Sequence, residues 1–263
     1  MLWIRVRFPA VPPLSYKYKM KSFLQFVESM TLNSDNQVII DYESKAGDLI
    51  NLRFGKSELK PHTKNIEGIT LDVFNLYTSK GADATIILKR LKAMHIDVSA
   101  YNQFLNRSAV YATKIIRDLN VDIIVTPKSS SSLTKDFAQK IKERNPGIEF
   151  LLDSFVKAED PSKITLDLES KKLSDSTIKK LESSIRRGVK LGYFQMKWVL
   201  PPYRKFLKNV FSYTGNAKKF EGKKVLIIDD VIASGSSLVS IFQTLQEAGA
   251  ESVKCLTIFK AQV

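Results

Sequence analysis

The sequence predicts an α/β protein with a parallel-sheet core, an α+β extension ahead of it and a long insertion within it. Three observations lead there. Residues 121–152 run strand, loop, helix, strand, and residues 225–259 repeat that order. Between them, residues 154–222 lose the alternation and become rich in Lys and Ser, with Asp160-Pro161 and Pro201-Pro202 as punctuation. A strand–helix–strand unit joins parallel strands of one sheet, so two such units imply a common parallel sheet.

The elements follow in order. Residues 1–19 mix Trp3, several basic residues and Pro9, Pro12 and Pro13, which reads as a basic tail or a mis-assigned start, with Met20 as the alternative first residue. Residues 20–29 read as a short amphipathic helix; this decapeptide is also similar to the N-terminal capsid-targeting peptides of tailed-phage head proteins. Residues 37–42 and 49–54 suggest a hairpin. Residues 69–77 and 84–91 continue a mixed region of unknown role that extends to residue 105. Ser108 is placed to cap a helix ending near Leu119, with Ala112, Ile116 and Leu119 on one face.

The core is expected over 106–263. Residues 121–126 form a buried strand, 127–132 a loop, and 133–144 a helix with Leu133, Phe137, Ala138 and Ile141 as its apolar stripe. Asn145-Pro146-Gly147 ends that helix, and 148–152 is the next strand. Within the 154–222 insertion, Ser174 caps a helix carrying Ile178, Leu181 and Ile185. Residues 225–229 are a strand, 231–236 a turn, 237–248 a helix with Leu238, Ile241, Phe242 and Leu245 inward, and 253–259 a final strand. Gly249 terminates the helix.

Bulk properties narrow the chemistry. Apolar residues make up 44% of the 263, enough for a sizeable core, while no apolar run approaches the ~18 residues of a membrane span. The net charge of +14 is compatible with phosphate-rich ligands or nucleic acid, but the basic residues are spread along the chain, which does not favour nucleic acid. The single Cys255 excludes an internal disulfide and reads as a buried structural thiol. His62 and His95 do not form a spaced metal motif.

Residues 225–238 carry the chemical signal. Val225, Leu226, Ile227 and Ile228 make a strand buried on both faces. Asp229 and Asp230 stand at its carboxyl end, where open α/β sheets place their ligands. Ala233, Ser234, Gly235, Ser236 and Ser237 lack bulk, so their backbone N–H groups can approach an anion, and the following helix adds its positive dipole end. The two acids suit neutral hydroxyls or a metal ion. One ligand satisfies both halves: a sugar phosphate.

This segment resembles the signature of type I phosphoribosyltransferases: an apolar strand, two acids, two apolar residues, then a small-Thr/Ser-Gly-x-Thr/Ser turn, with Ser234 and Ser237 where threonine is commoner. The resemblance implies that Asp229 and Asp230 act at the catalytic centre by binding ribose hydroxyls. They would also hold Mg²⁺ indirectly, through those hydroxyls or water. It implies that residues 233–237 bind the 5-phosphate of phosphoribosyl pyrophosphate, within a parallel core of about five strands. In the family the first core strand leads into a pyrophosphate loop, and Lys128, Ser129 and Ser130 occupy that place. Arg204, Lys208, Asn209 and Phe211, ahead of Gly222-Lys223-Lys224, are similar to the Arg…Asn…Phe pattern of competence-type homologues. The insertion would then include the family's flexible loop or its hood.

The implied reaction is transfer of phosphoribose to a nitrogenous base, with Mg²⁺ as cofactor and the base unspecified. The implied location is cytoplasmic (host cytoplasm or virion for a phage protein), and homodimers are frequent in the family. The alternative of the same fold is a catalytically silent regulator that senses the sugar phosphate and binds nucleic acid. Residues 225–230 also fit a Walker B strand. The only partner for it is Gly55-Lys56-Ser57, which lacks the first glycine of a Walker A loop because Ile50 stands there.

Overall fold

The computed structural model describes residues 27–41, 50–53, 61–66, 69–78, 84–129, 131–158, 160–166, 173–232 and 235–260. Three strands come first: β1 (Val27–Leu32), β2 (Val38–Asp41) and β3 (Ile50–Arg53). They form a small antiparallel sheet in the order β2-β1-β3. The expected hairpin of 37–42 with 49–54 is therefore replaced: β1 lies between its two arms and pairs with both. Val27, Glu28 and Ser29, read as the end of a helix, are strand residues: all three pair with β3 and Ser29 also with β2, and that pairing outweighs local helix preference. The rest of that expected helix, the 1–19 tail and Gly55-Lys56-Ser57 lie outside the described residues.

A seven-stranded sheet forms the body of the molecule. Its strands are β4 (His62–Ile66), β5 (Ile69–Thr78), β6 (Ile123–Pro127), β7 (Glu149–Lys157), β10 (Phe211–Tyr213), β11 (Lys224–Ile232) and β12 (Ser252–Lys260). The order is β10-β7-β6-β11-β12-β5-β4. The inner five strands pair in parallel, and β10 and β4 close the two edges antiparallel. The expected α/β class with a parallel core is what the chain adopts. One of its five parallel strands, β5, precedes residue 106 and joins the sheet by pairing with β12.

Helices cover both faces. On one lie α1 (Ala84–Lys92), α2 (Val98–Leu119) and α3 (Leu133–Lys142), whose Ile87, Leu91, Phe104, Ile116 and Phe137 pack with Leu226, Ile228, Leu256 and Ile258. On the other, Leu238, Ile241 and Leu245 of α5 (Ser236–Glu247), with Phe206 and Phe220 of the insertion, pack on Ile123, Val125, Val225, Ile227 and Cys255. Burial on both faces explains why β6 and β11 are runs of aliphatic residues rather than alternating ones.

Two boundaries differ from expectation. Helix α2 starts ahead of Ser108, capped by Asp97, whose side chain accepts from Ala100 N at 3.0 Å. Ser108 is buried mid-helix, and its hydroxyl lies 2.8 Å from that of Tyr77. A serine hydroxyl inside a helix is tolerated here because a second buried hydroxyl satisfies it. Strand β11 runs on through Val231 and Ile232, which pair with Phe259 and Lys260, so the turn begins later than residue 231.

The insertion holds α4 (Asp175–Leu191), capped by Ser174 as expected, and a two-stranded sheet of β8 (Thr165–Leu166) with β9 (Leu207–Lys208). It returns to the main sheet as β10. Cys255 is fully buried, and burial holds its thiol protonated. Among the described residues no helix is long and apolar enough to cross a membrane.

Candidate sugar-phosphate site

The site is built at the carboxyl end of β11, the central strand. Asp229 and Asp230 are its sixth and seventh residues, and adjacent strand residues face opposite sides of a sheet. Asp230 lies toward α1. It is buried, and its Oδ2 is 2.6 Å from Nζ of Lys92, the last residue of α1. Asp229 is half-buried, and its Oδ1 accepts the backbone N–H of Asp230 at 2.8 Å. Burial first, then the neighbouring charge of Asp230, push the Asp229 carboxyl up to about 7; the Asp230 amide and Lys92 oppose that rise. Two carboxylates this close disfavour each other's ionisation, and cation and amide donors offset part of the cost.

Three residues beyond β11, Gly235 adopts a left-handed φ of 82° and opens α5. Glycine suits this turn because a Cβ is disfavoured there. With no side chain at the cap position, the first turn of α5 lacks a side-chain cap, which leaves its amide donors to other acceptors. Gly235 and Ser236 are buried and Ser236 is engaged by a partner, while Ser237 is half-buried. Ala233 and Ser234 lie outside the described residues.

The neighbouring strand β6 delivers the second loop. Lys128 is exposed and Ser129 half-buried; Ser130 is outside the described residues. The loop is braced by Lys128 N donating to Phe155 O at 2.7 Å and by Ser131 N donating to Ser129 Oγ at 3.3 Å. It runs into α3, where Tyr101 of α2 donates its hydroxyl to Asp136 Oδ2 at 3.0 Å. Burial and the Asp136 charge push the Tyr101 phenol up, so it stays a donor. In the first turn of α3, the fully buried hydroxyl of Thr134 has no hydrogen-bond partner among the described residues. Such an atom normally has a protein or water partner.

Beside this loop the β6–β7 pairing breaks register between Val125 and Pro127. Asp153 sits at the irregularity with φ 53°, its N–H donating to Thr126 Oγ1 at 2.7 Å and its carboxylate 3.0 Å from Nζ of Lys135. Bulges of this kind re-aim side chains and cluster near ligand edges. In the insertion, Arg204 Nε donates to Val199 O at 2.9 Å and Asn209 Nδ2 to Lys163 O at 3.4 Å, so both brace backbone.

A family model described as phosphoribosyl transferase domain matches residues 97–262. The chain belongs to the phosphoribosyl transferase family. The matched span carries both loops and both acids, whereas Lys92 precedes it. The chain is 33% identical over 96 residues to competence protein F of Haemophilus influenzae, covering 36% of this chain and 42% of that protein. It is also 33% identical over 95 residues to a hypoxanthine/guanine phosphoribosyltransferase of Methanothermococcus okinawensis, covering 30% of this chain and 52% of that protein. The chain thus spans about half the length of these curated relatives or less. Among solved structures, the purine phosphoribosyltransferase of Pyrococcus horikoshii aligns over 60% of this chain and 85% of that one, at 13% identity and a TM-score of 0.33. A hypoxanthine phosphoribosyltransferase of Staphylococcus aureus aligns over 61% and 66%, at 14% identity and a TM-score of 0.32.

Sequence reasoning missed Lys92 and Asp153. Lys92 carries no local signal, since its partner lies in a distant strand. Asp153 follows a readable strand but stands in a left-handed conformation that aspartate tolerates better than most residues.

Proposed function

We propose that this protein transfers the phosphoribosyl group of phosphoribosyl pyrophosphate to a nitrogenous base. In the reaction the bond from the anomeric carbon to pyrophosphate breaks and a carbon–nitrogen bond forms; an N–H acceptor of a purine or pyrimidine then gives up its proton, whereas a pyridine nitrogen becomes a pyridinium. The single observation that carries this reading is the pair Asp229 and Asp230 near the end of the central strand, with the left-handed Gly235 turn that opens α5 three residues beyond that strand. Acids and amide donors placed so closely fit a ligand with hydroxyls at one end and a phosphate at the other.

Asp229 and Asp230 accept the ribose hydroxyls. Residues 233–237, among whose described residues Ser237 is the half-buried hydroxyl, donate to the 5-phosphate. Lys128, Ser129 and Ser130 receive pyrophosphate, Lys128 being exposed and Ser129 half-buried. Holding donor and acceptor in line supplies most of the rate gain, because the reacting carbon needs positioning and charge stabilisation rather than a covalent partner.

Mg²⁺ fits the donor set as a substrate-borne ion. The described residues contain no cluster of three or more His, Cys, Asp or Glu able to cage a metal, but two hard carboxylates stand where a metal–phosphate substrate would arrive. Magnesium is usually held by one or two carboxylates plus substrate phosphates. Bound to pyrophosphate, it would neutralise the charge that develops on the leaving group.

The test is turnover. Purine, pyrimidine and pyridine bases are each incubated with phosphoribosyl pyrophosphate and Mg²⁺, and pyrophosphate release is followed. At least one base is to give release that Asp229→Asn/Asp230→Asn abolishes. Tight binding of the sugar phosphate without release on any base would favour the regulator of the same fold.

A further inference from the structure

The acid at the end of β11 is not alone. Asp230 has 5% of its side chain exposed, and the Lys92 ammonium at 2.6 Å is its cation. A buried carboxylate without such a partner takes up a proton or pulls in water, and either would spoil it as a fixed acceptor for a sugar hydroxyl.

The placement of Lys92 is well supported by its neighbours. Ile87 and Leu91 of α1 are fully buried in the helical face of the core. Directly after Lys92 the chain turns sharply: Ala93 N donates to Lys89 O, Met94 takes a φ of 58°, and His95 N donates to Arg90 O. The far side of that turn is tied to the small sheet, where Val38 N donates to His95 O at 2.8 Å and Ile96 bridges Val38. The α1 helix also packs against β1 and β2. The three-stranded sheet therefore buttresses the corner from which Lys92 reaches Asp230, although all of it precedes the family-matched span.

We propose that Lys92 is a positioning residue of the sugar-hydroxyl site, holding Asp230 by one carboxylate oxygen so that the other is presented to the ribose. The small N-terminal sheet serves to fix it there. This rests on the sugar-phosphate reading above. Lys92 grips Oδ2 and so leaves the acid one oxygen for a hydroxyl, which fixes its rotamer before substrate arrives.

The experiment uses the full chain, phosphoribosyl pyrophosphate and Mg²⁺, with affinity measured by calorimetry. Lys92→Met is to weaken binding by about tenfold or more, the scale of leaving one partner of a buried charge pair alone. Lys92→Arg, which keeps the cation, is to return affinity to near wild type. Thermal melts of both variants separate lost binding from lost fold. A double-mutant cycle removes the remaining ambiguity: in an Asp230→Asn background, Lys92→Met is to cause no further loss, because its action runs through that carboxylate. Lys92→Met binding as tightly as wild type, or losses that multiply in the double variant, would overturn the proposal while leaving the sugar-phosphate reading intact. A wild-type protein that ignores the sugar phosphate would instead remove that reading and this one together.

Discussion

Asp229 carries a testable titration. Its carboxyl is pushed up to about 7 when folded, whereas an unfolded chain ionises an aspartate near ~4. Between those values the folded protein keeps a proton that the unfolded chain has released, so this residue's contribution to stability falls as pH rises from about 4 to about 7 and is constant above. Asp229→Asn removes the titration, so its melting temperature is to exceed wild type at about pH 8 by more than it does at about pH 4. An equal offset at both values would contradict the burial of that charge. The same shift predicts that affinity for phosphoribosyl pyrophosphate rises from about pH 6 to about pH 8, since an ionised acceptor is the better partner for a hydroxyl. The acids were legible because they follow four aliphatic residues and precede a Ser/Gly turn; their unequal environments were not, because Lys92 comes from another element.

Among the elements, the turn into α5 and the helices beneath the second loop set the geometry. Ser237 stands in the first helical turn and is half-buried. Ser237→Asp places a negative charge where the phosphate would sit, so sugar-phosphate binding is to drop at least about a hundredfold with little change in the melting temperature. Retained affinity in a calorimetric titration would move the phosphate elsewhere. Phe104 of α2 stacks on Tyr77 and on Phe259 with centroids 5.5 and 6.0 Å apart, and those two rings lie tilted at 5.8 Å. Phe104→Ala opens that stack and is to cost about 3–5 kcal/mol in denaturant unfolding. The elements of 121–152 and 225–259 and the α4 helix were readable, since aliphatic strands and helices with clear stripes announce themselves; β8, β9 and β10 in the insertion were not, because strands of two or three residues carry no such run. The start of α2 was not, because Asp97 caps it without the acidic partner three residues on that marks a capping box.

For the whole molecule, the sheet joins parts that sequence order keeps apart. β5 enters the core only because β12, near the other end of the chain, offers it a parallel edge. No local pattern encodes such a pairing, so residues 69–78 read as part of a separate region. The small sheet was misread for a similar reason: the strand between β2 and β3 precedes both. If the extension serves the site through α1, loosening it is to be felt at the ligand. Val38→Asp, which would bury a charge where β2 meets Ile96, is to reduce sugar-phosphate affinity as well as lower the melting temperature. Full affinity in the fraction that remains folded would argue for an independent module.

The account as a whole depends on a sugar phosphate bridging the β11 acids and the α5 turn. Calorimetric titration of the intact protein with phosphoribosyl pyrophosphate and Mg²⁺, run beside Asp229→Asn/Asp230→Asn, addresses that most directly. Saturable 1:1 binding that the double variant loses is the predicted result. Absence of binding by the wild type, or binding the double variant keeps unchanged, would contradict it.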